Sequence, residues 1–229
     1  MSFINVKNNA RSRFTENQLY LNYITSLEPR DVTGSASIEV NIMKGLFYVH
    51  LYSSLEKTVN ELIENTLMHI SSKSIKNKHY NLPFNSISLV DKLKSFKACG
   101  YSNFFEKAYE IFNEVSSSNI SPINETVFAS NLQNVWTRTI EEISNSFGIN
   151  GFTASPRTKA TIDEIVEKRN AVAHGRESAR IVGERFRTDV LRIKMETIID
   201  FCNYLIDLFE SYYSNKDFLK PTAKRHYSV

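Results

Sequence analysis

Cysteine, proline and glycine are all scarce in this chain of 229 residues, at two, five and seven respectively. The two cysteines, Cys99 and Cys202, give no disulfide framework and no cysteine-rich zinc site, and they fit a reducing cytosol. Each reads as a small core hydrophobe. Every apolar stretch is broken by Lys, Glu, Asn or Ser well short of the roughly 20 residues of a membrane span. The opening MSFINVKNNARSRF has no apolar segment of a secretion signal, so the expectation is a cytoplasmic protein with no membrane partner. Also absent are the Walker sequence, GxGxxG, HExxH and GxSxG, which removes kinases, P-loop NTPases, the usual nicotinamide dehydrogenases, zincins and α/β-hydrolases. His69, His79 and His226 stand without carboxylate or cysteine partners at ligand spacing, so no metal and no cofactor is expected.

What is present is a composition able to bury a core, 41% hydrophobic and 23% charged, which excludes a wholly disordered chain. The length suits one domain, or one domain with embellishments. A net charge of +3 is too small to make the whole surface a polyanion trap, but its distribution is uneven. Residues 1–150 carry 14 Lys/Arg against 14 Asp/Glu, and residues 151–229 carry 14 against 11. Within the latter, Arg176, Arg180, Arg185, Arg187, Arg192 and Lys194 outnumber Glu177, Glu184 and Asp189. Such a strip is either a phosphate-facing surface or a solvated helix face.

Residues 1–36 lack strong periodicity and read as an N-terminal arm with at most a short helix over Asn17–Leu27. From Ser37 to Ile70, apolar residues including Ile42, Leu46, Val49, Tyr52, Leu55 and Val59 recur at mostly three- or four-residue steps. That spacing predicts a long amphipathic helix. Gly45 within it either admits a close neighbour or weakens the first turn. Residues 71–130 read as a helical elaboration, with a polar connection over 71–88 and helices over Leu89–Cys99 and Phe104–Val115. Phe104, Phe105, Phe112 and Trp136 are assigned to the core. Ser130–Phe147 is helical and stopped by Gly148. Thr161 with Glu164 forms a capping box that opens the next helix, which stops at Gly175. A last helix runs from Thr188 to Tyr213, and residues 214–229 read as a polar, fraying tail. No stretch alternates with a period of two, so the chain is all-α.

One string departs from core logic: Lys168-Arg169-Asn170-Ala171-Val172-Ala173-His174-Gly175. Arg169 falls on the stripe of Ile162, Ile165, Val166 and Val172, where a guanidinium is expensive unless it finds acceptors or a wet cavity. Asn170 and His174 are four apart and share a face beside it. His174 lies at the carbonyl end of its helix, which favours positive charge. The residues also fit a structural role in which Arg169 bonds a carbonyl or pairs with Glu56 and His174 caps the helix. Glu56, midway along the long helix, either supports the site or forms an inter-helix ion pair. His50 falls off the apolar stripe and reads as a surface residue.

The string RNAVAHG, at the end of a helix lying between the long early helix and the long last one, resembles the HEPN superfamily. Within it the likeness is to the RiboL-PSP type of predicted ribonuclease, over about Ser37–Tyr213. The resemblance implies an up-and-down helical bundle of four to five core helices, here with a helical insertion, that cleaves RNA without metal. It implies catalytic roles for Arg169, His174 and Asn170, with Lys168, Arg176 and Arg180 as RNA contacts and Glu56 in support. It further implies a homodimer with a composite cleft and a role as a toxin or anti-phage effector, with an antitoxin or other regulatory protein as partner. A non-catalytic HEPN module binding RNA, nucleotide or a partner protein is the alternative.

Overall fold

A computed structural model describes residues 3–31, 34–149 and 152–227. Among them the secondary structure is all-α, with a single isolated bridge between Tyr80 and Leu219. The helices are α1 (Ile4–Leu27), α2 (Ile38–Ser71), α3 (Asn85–Ser88), α4 (Val90–Ala98), α5 (Phe104–Val115), α6 (Thr137–Phe147), α7 (Pro156–Ala173), α8 (Ala179–Glu184) and α9 (Thr188–Ser214). No helix among the described residues is long and apolar enough to cross a membrane. The chain divides into two compact units: Met1–Glu61 with Leu132–Thr139 and Ala154–Ile206, and Leu62–Asn131 with Ile140–Thr153 and Asp207–Val229.

In the first unit, α1 replaces the expected arm. It is one continuous helix of 24 residues whose inward face carries Val6, Ala10, Phe14, Asn17, Leu21 and Ile24. The periodicity is obscured because Asn17 occupies a core position. Its amide nitrogen donates to Ser54 Oγ at 2.6 Å and to the Arg13 carbonyl at 3.0 Å, so the buried donor is satisfied.

Over its first turns the buried face of α2 is rotated from the expected stripe: Ile42 and Leu46 are exposed, while Val40, Phe47, Tyr48 and Leu51 are buried. From Tyr52 onward the stripe is as expected, with Tyr52, Leu55 and Val59 buried. Gly45 fixes that rotation. A Cβ there would lie 1.9 Å from the Ala179 carbonyl oxygen, and one at Gly183 would lie 1.9 Å from that of Asn41. Backbone meets backbone between α2 and α8 because neither glycine has a side chain. His50, expected at the surface, is half-buried with its ring edge-on to Tyr20.

Buried Lys44, on the same helix, pairs with Glu28 Oε1 at 3.2 Å. Glu28 Oε2 accepts the Thr188 amide at 3.1 Å and its hydroxyl at 2.7 Å, capping the first turn of α9. Burial pushes the Glu28 carboxyl up, but the Thr188 bonds and Lys44 outweigh it and hold the group below its ordinary range.

The second unit packs an aromatic core. Phe147 meets Phe84 at 5.8 Å and Phe209 at 5.1 Å between ring centroids, and its carbonyl accepts the buried Tyr212 hydroxyl at 2.6 Å. The expected fraying tail is packed as well. Phe218, Leu219 and Ala223 are buried, and Pro221–His226 forms a 3-10 turn. By contrast, Phe105 and Phe112 are exposed, with Phe104 at the margin, so α5 does not supply the core residues expected of it.

Candidate active site on α7

Helix α7 begins a turn and a half before Thr161. Ser155 is the N-cap, its Oγ accepting the Thr158 amide at 3.1 Å, with Pro156 at the first helical position. Thr161 is internal and bonds the Arg157 carbonyl, while Glu164 takes the Lys194 ammonium rather than closing a capping box. The helix ends where expected. Gly175 adopts a left-handed φ of +68°, the Arg176 amide reaches the Ala171 carbonyl at 2.9 Å, and the Gly175 amide reaches that of Val172 at 3.2 Å. This pair of bonds is a Schellman motif, which leaves His174 as the C-cap residue.

The Arg169 guanidinium is held on every side. Its Cζ stacks 3.7 Å above the centroid of the Tyr52 ring, a cation–π contact in a partly desolvated place. Its Nη1 donates to Asn170 Oδ1 at 2.7 Å, and its Nη2 donates to the Gln133 carbonyl at 3.2 Å and toward Glu56 Oε2 at 3.4 Å. The side chain is 16% exposed, so these contacts offset its desolvation. Burial pushes the Glu56 carboxyl up, and Arg169 pulls it back only in part.

Tyr52 is itself positioned from behind. Its hydroxyl donates to the Gln133 carbonyl at 3.2 Å and accepts the Val135 amide at 3.0 Å. Burial raises the phenol's pKa, keeping it a neutral donor. Segment 132–139 is fixed in turn by Asp163 on α7, whose Oδ1 accepts the Thr137 amide at 3.0 Å.

Of the expected site residues, Arg169, Asn170 and Glu56 therefore converge, through the structural contacts that the sequence left as an alternative. The His174 imidazole does not join them. It is exposed and meets no hydrogen-bond partner among the described residues. Lys168 is half-buried, and Arg176 and Arg180 are exposed, likewise without polar side-chain partners among the described residues. The rest of the basic strip is occupied: Arg185 by Glu177, Arg187 by the Pro29 carbonyl, Arg192 by Asn22 and Lys194 by Glu164. The free cations are thus those nearest the motif.

Tyr52 and Gln133 escape sequence reasoning. Tyr52 carries a signal, being one turn before Glu56 on α2, but Gln133 acts through its carbonyl and carries none. Buried Cys202 is no nucleophile, its thiol pushed up to about 12 by desolvation. No group of three His, Cys, Asp or Glu among the described residues is placed to hold a metal.

Chemically, α7 carries an immobilised cation at Arg169 and, at its C-cap, an exposed imidazole, with Lys168, Arg176 and Arg180 adjacent to them in sequence. No curated protein and no solved structure matches the chain. A family model does, over residues 8–215, nearly the whole helical body just described, and the chain belongs to the RiboL-PSP-HEPN family.

Proposed function

We propose that the protein is a metal-independent endoribonuclease of the HEPN type. The observation that carries this reading is the immobilised Arg169 guanidinium on the helix whose C-cap is the solvent-facing His174. In the proposed reaction the RNA 2′-hydroxyl attacks the adjacent phosphorus. The 2′-oxygen–phosphorus bond forms as the phosphorus–5′-oxygen bond breaks, leaving a 2′,3′-cyclic phosphate and a 5′-hydroxyl. His174 accepts the hydroxyl proton or donates one to the departing oxygen. Two chains facing one cleft supply both functions, so the working form is a homodimer.

Arg169 neutralises charge on the phosphate in the transition state, and Asn170 orients the phosphate or the imidazole. Lys168, Arg176 and Arg180 take neighbouring phosphates. Glu56 acts one step back, by holding Arg169 in place. No metal or cofactor enters this scheme. The setting is the cytoplasm, and the role is that of a toxin or anti-phage effector restrained by an antitoxin or other regulatory protein.

A second reading has one specific observation in its favour. Arg169 Nη2 is already shared between Glu56 and the Gln133 carbonyl, as a purely structural arginine would be. On that reading the chain is a non-catalytic HEPN module binding RNA, nucleotide or a partner protein.

The two are separated by incubating total tRNA and a structured RNA with wild type, Arg169→Ala and His174→Ala in excess EDTA, with folding checked by circular dichroism. Cleavage by the wild type alone, together with host growth arrest by the wild type but not His174→Ala, is the expected result. Absence of cleavage by all three folded proteins favours the module.

A further inference from the structure

The second unit contains a cationic surface that the proposed active site does not use. Residues 71–80 carry Lys73, Lys76 and Lys78 and no carboxylate, and residues 215–227 carry Lys216, Lys220, Lys224 and Arg225 against Asp217 alone. Their net of six positive charges is twice the chain's formal +3, so the rest of the chain is three negative.

The fold brings these distant segments together. The Lys220 amide donates to the His79 carbonyl at 2.9 Å, and the Asn81 amide to that of Phe218 at 2.8 Å. The Tyr227 hydroxyl accepts the Lys76 amide at 3.2 Å and lies 2.8 Å from His79 Nδ1. Ile75, Tyr80, Phe218, Leu219 and Ala223 are buried beneath, so the surface is a packed platform rather than a loose tail.

The charges on this platform are ordered but barely neutralised. Lys224 alone among the seven meets a carboxylate among the described residues, Asp217 at 2.6 Å. Lys216 and Lys220 donate instead to backbone carbonyls, of Tyr227 at 2.6 Å and of Lys78 at 2.7 Å, which fixes each ammonium without cancelling it. Lys76, Lys220, Arg225 and His226 are exposed. Burial holds the His79 imidazole below its ordinary range, and Lys78, His226, Lys76 and Lys220 push it the same way.

Gathering like charges opposes folding unless a polyanion takes them up. Flat rings lie among these cations. His79 and His226 stack at 5.6 Å with 16° between their planes, and Tyr227 stands edge-on to His79 at 5.6 Å. Cations interleaved with stacking faces match a nucleic acid strand, whose phosphates and bases alternate in the same way. An anionic membrane would take up the same charges through its headgroups, but it offers no planar groups to match the rings of His79, His226 and Tyr227.

We propose that this surface binds single-stranded RNA, taking phosphates on Lys76, Lys78, Lys220 and Arg225 and stacking a base on the His226 ring. That the strand is RNA rather than DNA rests on the ribonuclease reading; that it is a nucleic acid does not.

The test is fluorescence anisotropy of a labelled 20-nucleotide single-stranded RNA with the full chain carrying His174→Ala, so that the probe stays intact. The same chain carrying Lys76→Gln, Lys78→Gln and Arg225→Gln is compared across salt concentrations, with thermal melts as the folding check. The expected loss is about thirtyfold in affinity. The slope of log affinity against log salt becomes shallower by about 2, near 0.7 for each phosphate contact removed from a single strand. His226→Ala is expected to weaken RNA about tenfold and leave binding of inorganic polyphosphate unchanged.

If the triple variant melts poorly, Arg225→Gln alone carries the test, with a slope change of about 0.7. The Arg225 side chain makes no polar contact among the described residues. Unchanged affinity and slope in the folded variant overturn the proposal. So does tighter binding to phosphatidylserine vesicles that the same substitutions abolish. RNA bound through these residues by a wild type that cleaves nothing keeps this proposal and defeats the ribonuclease reading. Cleavage with an unaltered triple variant does the reverse.

Discussion

Arg169 is the residue on which the account turns, and its contacts are specific to a guanidinium. A planar cation lies flat on Tyr52 while its Nη1 and Nη2 reach Asn170, Gln133 and Glu56 in different directions. Arg169→Lys preserves the charge and loses both the stack and the fork. It is expected to lower RNA cleavage by about 10²-fold or more while thermal stability changes little beside it. Tyr52→Phe divides the roles differently. The ring stays beneath Arg169, but the buried Val135 amide loses its acceptor, at a cost of about 1–3 kcal/mol in denaturant unfolding with a milder loss of cleavage. This part of the site was only half legible in the sequence. Arg169 stood out because a charge on an apolar stripe demands partners, and Glu56 was within reach of that argument. Gln133 was not, because a carbonyl acts in the same way whatever side chain it carries.

At the scale of elements, two devices position α8 and α9 around the motif. Glu28 caps α9 and balances buried Lys44, and its carboxyl lies below the ordinary value of 4.5. The folded state therefore binds that proton less tightly than the unfolded chain. The stability it contributes is complete above pH 4.5 and is lost as the pH falls through the lower folded value. Glu28→Gln is expected to cost about 3–5 kcal/mol at neutral pH, since it leaves Lys44 buried without its counter-charge. The gap from wild type narrows on acidification, as chemical denaturation at pH 7 and pH 3 would measure.

The second device is the glycine pair. Gly183→Ala drives a Cβ into the Asn41 carbonyl and displaces α8, at a cost of about 1–3 kcal/mol or more. Because α8 carries Arg180, affinity for RNA at the active site is expected to fall with it. The sequence offered Gly45 as one side of a close approach but gave no helix at Ala179–Glu184 to supply the other. Six residues are too few to display a period.

Across the whole molecule, what was legible followed from long apolar periodicity. The extents of α2, α5 and α9 fall within a residue or so of expectation, and an all-α chain follows from them. What was missed lies where polar residues sit on buried faces. Asn17 hid α1, Lys44 hid the buried face of the first turns of α2, and the charges around Phe218 and Leu219 made a packed C-terminal segment look like a loose one. Phe105 and Phe112 show the converse, since aromatic character does not imply burial in a helix with no buried residue. The charge platform has no signature along the chain, because its two halves are joined only by the fold.

If the molecule breaks RNA by an internal 2′-hydroxyl attack centred on Arg169 and His174, the ends left on a defined RNA in excess EDTA record it, and mass spectrometry reads them. The wild type is expected to leave 2′,3′-cyclic phosphate and 5′-hydroxyl ends, and His174→Ala none. Products bearing 3′-hydroxyl and 5′-phosphate ends, or cyclic phosphate formed equally by both proteins, would contradict it.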